Sequence, residues 1–313
     1  MNESINFTVG FTEGIGWHWP IAVYLLLAGI SGGALILALA IRFYKKQTEN
    51  TAVYKSSALI SCSTIMLGMV FLVADLEKPF VFWKILINYN FSSVMSIGVA
   101  AISVYIPLTC VIVIYAFEKE IKSLFGFLSP IIDLLKIVRS PLEGVTVFFA
   151  VIICAYTGFL ISILVRFPML NTAILPALFV VSGLSVGVAS LSLVSHKLFK
   201  EDMHSGDMKI LHKVEWPIMF VEVMFLSMLY VGLLVGGASG HVAIEGFHSG
   251  VWANVFWFGV VGIGFILPLV LNFALGKKMS NSLAVFYTSG LSSLVGVFCL
   301  RLFIVYAGQI FSV

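Results

Sequence analysis

The sequence predicts an all-α integral membrane protein of eight transmembrane helices. The helices form two four-helix bundles related by a parallel internal repeat, with both termini periplasmic. Three observations predict this. Hydrophobic residues make up 60% of the chain and charged residues 11%, which is more apolar surface than a soluble domain of 313 residues can hide. Eight apolar stretches are each long enough to cross a bilayer, which takes about 20 residues. Fourteen of the eighteen Lys and Arg residues fall in four loops that alternate with nearly cation-free ones.

The spans are expected at 19–42, 53–74, 92–117, 144–165, 173–195, 215–236, 251–275 and 283–308. No open sheet edge survives in hydrocarbon, and the alternation of a membrane barrel is absent, so each is a helix. The first opens with Trp19-Pro20, where a proline's missing N–H costs nothing. The second is closed by Asp75. The third and seventh carry Pro107 and Pro268, expected to kink them. The fourth holds Tyr156 in its outer half. The sixth holds Glu215 at its inner edge and Glu222 inside, and the eighth holds Arg301.

The basic loops hold Arg42, Lys45, Lys46 and Lys55; Lys119, Lys122, Lys136 and Arg139; Lys197, Lys200, Lys209 and Lys213; and Lys277 and Lys278. The other side has only Lys78, Lys84 and Arg166. The positive-inside bias makes the basic loops cytoplasmic and both termini external. Residues 1–18 then form a periplasmic tail, 19–166 a first bundle and 167–313 a second. The tail has no basic n-region and no cleavage site, so no removable signal peptide is expected. Trp17, Trp19, Trp83, Trp216 and Trp252 lie near expected helix ends, as an interfacial belt does. The net charge of +3 is topological and gives no reason to expect nucleic acid.

The repeat rests on three matches. Ala28-Gly29-Ile30-Ser31-Gly32-Gly33 is echoed 154 residues later by Ser182-Gly183-Leu184-Ser185-Val186-Gly187. Gly98 and Pro107 are echoed by Gly259 and Pro268 at an offset of 161, and Tyr156-Thr157-Gly158 by Tyr306-Ala307-Gly308 at 150. The first and fifth helices run the same way, so the repeat is parallel. The physical use of the small residues is close helix approach.

Several chemistries are missing. None of the six histidines lies well inside a span, so no haem is expected. The four cysteines sit singly in different helices, which excludes an iron–sulfur cluster in this chain and a disulfide framework. There is no phosphate-binding glycine loop.

What remains is the ionisable groups inside the membrane. Each costs about 2.5–3.5 kcal/mol on insertion scales and is a functional candidate by default. Glu215 and Glu222, seven residues apart, share a helix face about 10 Å apart along the axis. Glu222 and Arg301 are either functional charges or a structural ion pair across the bundle. Asp75 and Glu215 also suit ordinary interfacial charges. Tyr24 and Tyr156 bring hydroxyls that need partners, and a tyrosine beside a carboxylate suits a quinone carbonyl. A secondary transporter, with its repeats, kinked helices and intramembrane charges, is the alternative from another class.

Trp17-His18-Trp19-Pro20 leading to Tyr24 and the glycine run resembles the opening of the NrfD/PsrC family of membrane subunits. Asp75-Leu76-Glu77-Lys78-Pro79, Phe82-Trp83-Lys84, Ser92-Ser93-Val94-Met95-Ser96, Ala155-Tyr156-Thr157-Gly158, Ser182-Gly183-Leu184-Ser185 and Arg301-Leu302-Phe303 are similar in the same order along essentially the whole chain. The resemblance implies a haem-free anchor that binds menaquinone near the outer face and oxidises menaquinol. It implies that electrons pass to a periplasmic ferredoxin-like iron–sulfur subunit. Terminal catalysis is then expected on a molybdopterin subunit or a cytochrome-type reductase. It matches Tyr156, Tyr24 and Asp75, with His18, to the quinone site, with Asp75 and Tyr156 taking part in the chemistry. Tyr24 stands where other members have His. Glu222 and Arg301 match a family carboxylate and arginine, and with Glu215 they make a candidate proton path from the cytoplasm.

Overall fold

A computed structural model describes residues 16–76, 79–87, 89–90, 93–273 and 282–310. Most of the N-terminal tail, Glu77, Lys78, Ser92, Lys277 and Lys278 lie outside the described residues. Among the described residues every regular element is helical, and eight helices are long and apolar enough to span a membrane. They are α1 (Trp19–Tyr44), α2 (Ala52–Ala74), α3 (Val94–Ala116), α4 (Arg139–Ser162), α5 (Ile174–Phe199), α6 (Gly206–Val235), α7 (Gly250–Asn272) and α8 (Leu283–Ile310). With lipid as solvent, large apolar residues on their outer faces, such as Phe148, Phe220 and Phe258, are expected rather than anomalous.

The helix starts obey local chemistry. Pro20 stands in the first turn of α1. Thr51 caps α2 by accepting from the Tyr54 N–H, and Ser205 caps α6 by accepting from Met208. Lys200 ends α5 in the left-handed conformation at φ 52°.

α1 and α5 are the most buried spans. α1 packs on α2, α4, α5 and α8, while α5 packs on α1, α2, α4, α6 and α8. The two echoed glycine motifs meet here, face to face. Gly29 lies against Gly183, and Gly33 and Gly187 lie so close to the opposing backbone that a Cβ on either would overlap it. Backbones this close need glycine. α2 packs on α3, α3 on α4, and α7 on α8.

Four expectations are corrected. α4 begins at Arg139, five residues before its expected start, and α6 begins at Gly206 rather than 215. Hydropathy marks only hydrocarbon, whereas both helices run on into the basic end. Arg139, Lys209 and Lys213 therefore sit on helices, and Trp216 lies well inside α6. Glu215 is likewise inside α6, not at its edge. α7 is not a plain kinked helix: residues Val255–Ile266 are wound as a π-helix, which precedes Pro268. Glycines 259 and 264 within it let α8 approach, Gly259 lying against Cys299 and Gly264 against Gly296. The four cysteines do sit in different helices and are free, with the sulfurs of Cys62 and Cys110 facing each other at 3.9 Å between α2 and α3.

Shorter helices join the spans. Trp83–Ile87 follows α2, Glu118–Leu124 and Ser129–Ile137 link α3 to α4, and Gly237–His248 links α6 to α7. At the basic end Lys45 and Gln47 hold Asp207, tying the α1–α2 loop to the start of α6. At the other end the Gln309 side chain receives the Trp17 N–H at 2.8 Å and donates to its carbonyl at 3.1 Å.

Candidate functional site

At the end of the molecule that carries the termini, α1, α2, α3 and α4 enclose a cavity of about 350 Å³. Tyr24 enters from α1, Asp75 from the end of α2, and Tyr156 from α4; Met95, Val99 and Ile102 of α3 complete the wall. Three residues expected at one site are thus brought together from three helices. The apolar part of the lining includes Trp17, Ile21, Leu72 and Phe82.

Each polar group has a distinct setting. The Tyr24 hydroxyl is buried and has no hydrogen-bond partner. The Tyr156 hydroxyl donates to the Met95 carbonyl at 3.3 Å. Gly98 makes room for it, since a Cβ there would run into the Tyr156 ring. Asp75 is largely buried at the mouth, 3.7 Å from Nδ1 of the exposed His18. Burial pushes the Asp75 carboxyl above the ordinary carboxylate range, and His18 only partly offsets this. The arrangement suits an apolar molecule that carries hydrogen-bond acceptors at its polar edge.

The other expected residues lie elsewhere. Glu222 is fully buried in α6, and neither carboxylate oxygen has a hydrogen-bond partner. It lines a very small cavity with Ser185, Gly264, Ser293 and Gly296. Arg301 is buried on α8, its Nη2 donating to Ser182 Oγ at 2.6 Å and to the Phe179 carbonyl at 3.4 Å. Its guanidinium carbon sits 3.6 Å from the Phe179 ring centroid, and Nε and Nη1 lack partners. Glu222 and Arg301 make no direct ion-pair contact among the described residues, although the two charges act on each other through space. Glu215 meets Nδ1 of His212 at 3.4 Å and lines a separate cavity at the basic end.

One cluster was not anticipated from the sequence. Glu143 of α4 is buried and accepts from Arg42 Nε at 3.2 Å, Arg139 Nε at 2.8 Å and the Tyr54 hydroxyl at 2.9 Å. Arg139 also donates to Asn50 Oδ1 at 2.6 Å, and Asn50 donates to the Tyr115 carbonyl at 2.6 Å. This ties α1, α2, α3 and α4 at the basic end. The readable signal was Glu143 standing four residues after Arg139, one helical turn on.

Comparison with known proteins shows the family. The family model described as "Polysulphide reductase, NrfD" matches residues 8–313. The chain is 41% identical to the C subunit of polysulfide reductase from Wolinella succinogenes over 300 residues, covering 94% of this chain and 95% of that protein. It is 34% identical to protein NrfD of Escherichia coli over 308 residues, 95% of this chain and 96% of that one. It is 22% identical to the Hdr-like menaquinol oxidoreductase integral membrane subunit of Archaeoglobus fulgidus over 309 residues, 96% of this chain and 73% of that one. With a family match from end to end on eight apolar helices, the chain belongs to the NrfD/polysulphide reductase family of membrane subunits.

Proposed function

We propose that the chain is the haem-free, quinol-binding membrane subunit of a bacterial respiratory reductase of the polysulfide or nitrite type. The observation that carries this reading is the meeting of Tyr24, Asp75 and Tyr156 in one largely apolar cavity, with the Tyr24 hydroxyl buried and unpartnered. An unsatisfied buried donor costs about 1–3 kcal/mol, and a ring oxygen of menaquinone removes that cost. The residues present therefore fit the cofactor. Bound menaquinol supplies two electrons and two protons.

The chain's own groups do the rest. Tyr24 donates a hydrogen bond to one ring oxygen, and Tyr156, turning its single O–H away from the Met95 carbonyl, donates to the other. Asp75 receives a proton at its carboxylate, and its raised affinity for protons suits a base that faces a quinol hydroxyl. His18, exposed and next to Asp75, passes that proton outward. The apolar wall excludes water. Because this subunit has no electron carrier of its own, its contribution is position: it holds the quinol beside a periplasmic ferredoxin-like iron–sulfur subunit. Terminal catalysis then belongs to a molybdopterin subunit or a cytochrome-type reductase. In this reading the protein lies in the inner membrane, residues 19–166 and 167–313 form two four-helix bundles, and both termini are periplasmic.

A proton route accompanies the site. Glu215 lines the cavity at the basic end with Ser289, and Glu222 lines the small cavity with Ser293, one helical turn further along α8. Glu215 takes protons from the cytoplasm, Glu222 relays them, and the unpartnered Nε and Nη1 of Arg301 continue the polar line towards the quinol pocket. Such a path is what would let quinol oxidised at the outer face conserve energy, at about 2.3 kcal/mol per charge against 100 mV.

The test is quinol-driven reduction by the reconstituted complex. Tyr156→Phe and Asp75→Asn are expected to lower turnover while the complex still assembles; full turnover in both would make the chain a passive anchor and end the reading. Glu222→Gln is expected to lower proton movement and turnover together, and unchanged values for both would remove the proton route alone.

A further inference from the structure

We propose that the cavity at the basic end of α5, α6 and α8 is a binding site for the phosphate group of an anionic phospholipid. The cavity is about 330 Å³, the size of a headgroup rather than of a whole lipid. Lys209 and Lys213 line it from one face of α6, one turn apart, with His204 and His212 beside them. Glu215 is the one carboxylate among the described lining residues, and it is engaged by His212.

Charge and place together set this region apart. Elsewhere at the basic end Arg42 and Arg139 are neutralised by Glu143, Lys45 by Asp207, Lys55 by Glu120, and Lys136 by Glu118; Lys46, Lys119, Lys197 and Lys200 have no carboxylate partner among the described residues, but none of them lines this cavity. Lys209 and Lys213 pair with no carboxylate among the described residues. Positive charge is left uncompensated at a membrane-level cavity, where an anion is the partner that physics favours.

The second observation is independent of charge. Ser192 of α5 is buried at 5% exposure, lines the same cavity, and its hydroxyl has no hydrogen-bond partner. A buried hydroxyl seeking an acceptor and two ammonium donors without a carboxylate partner together describe a phosphate seat. Trp216, one turn beyond Lys213 on α6, also lines the cavity, and tryptophan is the residue type that sits at headgroup level. The apolar wall of Val188, Leu193 and Phe286 suits the glycerol and upper acyl region. Free inorganic phosphate offers the same oxygen chemistry without the apolar part.

The experiment titrates the full chain in detergent with phosphatidylglycerol or phosphatidylcholine and counts bound lipid by native mass spectrometry. One phosphatidylglycerol per chain is expected, and phosphatidylcholine is expected to bind far more weakly. The double variant Lys209→Gln, Lys213→Gln is expected to weaken binding roughly thirtyfold, since each interfacial lysine is worth about 1 kcal/mol. Lys209→Arg with Lys213→Arg should restore it, and Ser192→Ala should weaken it without altering the lipid preference. Equal binding of the two lipids by the unaltered chain, or undiminished phosphatidylglycerol binding by the double Gln variant, overturns the proposal. Millimolar inorganic phosphate identifies the source. If it leaves the lipid bound, the ligand is the headgroup; if it displaces the lipid and itself raises the melting temperature, the same site serves free phosphate.

Discussion

Gly98 of α3 lies directly against the ring of Tyr156 on α4, in a space that no side chain could share. The glycine thus sets where the Tyr156 hydroxyl sits, 3.3 Å from the Met95 carbonyl and at the wall of the cavity. Gly98→Ala must push the ring or separate the two helices. A displacement near 1 Å at a reacting centre can cost about a hundredfold in rate, so quinol-driven turnover is expected to fall roughly ten- to a hundredfold. Steady-state kinetics of the assembled complex would show it, with Gly144→Ala as the control, because nothing lies within 4 Å of a Cβ there. Wild-type turnover in Gly98→Ala would detach Tyr156 from the chemistry.

The Asp75 carboxyl is raised by burial and partly lowered again by His18. In the proposed role of proton acceptor it would work only when ionised, so turnover should fall on the acid side at a pH above the ordinary aspartate value of about 3.9. His18→Gln removes the lowering influence, and the acid limb should move to higher pH. For stability the sign is opposite: a raised carboxyl contributes most below its unfolded value, and the contribution is lost as pH rises through the folded one. A pH–rate profile of His18→Gln whose acid limb stays in place, or moves down, contradicts this account.

The contact of α1 with α5 depends on glycines 33 and 187, each abutting the other helix's backbone. Neither flexible side chains nor solvent can yield there. Gly33→Ala or Gly187→Ala is expected to cost about 1–3 kcal/mol as overpacking and to lower the melting temperature of the detergent-solubilised protein. Gly232→Ala, with open space around it, should leave the melting temperature unchanged.

The eight spans were legible because hydrocarbon demands length and apolarity, and both are written residue by residue. Tyr24, Asp75 and Tyr156 stood out as polar groups near the membrane, but it was the resemblance to the NrfD/PsrC family that assigned them to one site. What escaped was whatever depends on the third dimension or lies beyond the hydrocarbon. The early start of α6 is disguised by Lys209 and Lys213, which read as loop but suit a helix passing through headgroups. The π-helix of α7 leaves no pattern beyond its glycines and Pro268. The lack of direct contact between Glu222 and Arg301 depends on helix rotation, which hydropathy does not carry. Glu143 stands immediately before the apolar run that begins at 144, and hydropathy does not show that it is buried.

Glu143 gives the last prediction. Its carboxylate serves two guanidiniums and a tyrosine hydroxyl while buried. Taking one partner from a buried ionic cluster leaves the others uncompensated, and this typically costs about 3–5 kcal/mol. Glu143→Gln preserves shape but offers one acceptor oxygen and turns an amide N–H₂ towards cations. Arg42 keeps its bonds to the Glu49 and Thr48 carbonyls and Arg139 its bond to Asn50, so the cluster should loosen rather than dissolve. The cluster is at the basic end and the cavity of Tyr24, Asp75 and Tyr156 at the other. The melting temperature should therefore drop clearly while turnover per assembled complex stays within about twofold, a change worth less than about 0.5 kcal/mol. Thermal unfolding of the solubilised protein together with rates normalised to assembled complex separates the two effects. A loss of turnover with unchanged melting would give Glu143 a part in function that its geometry does not suggest.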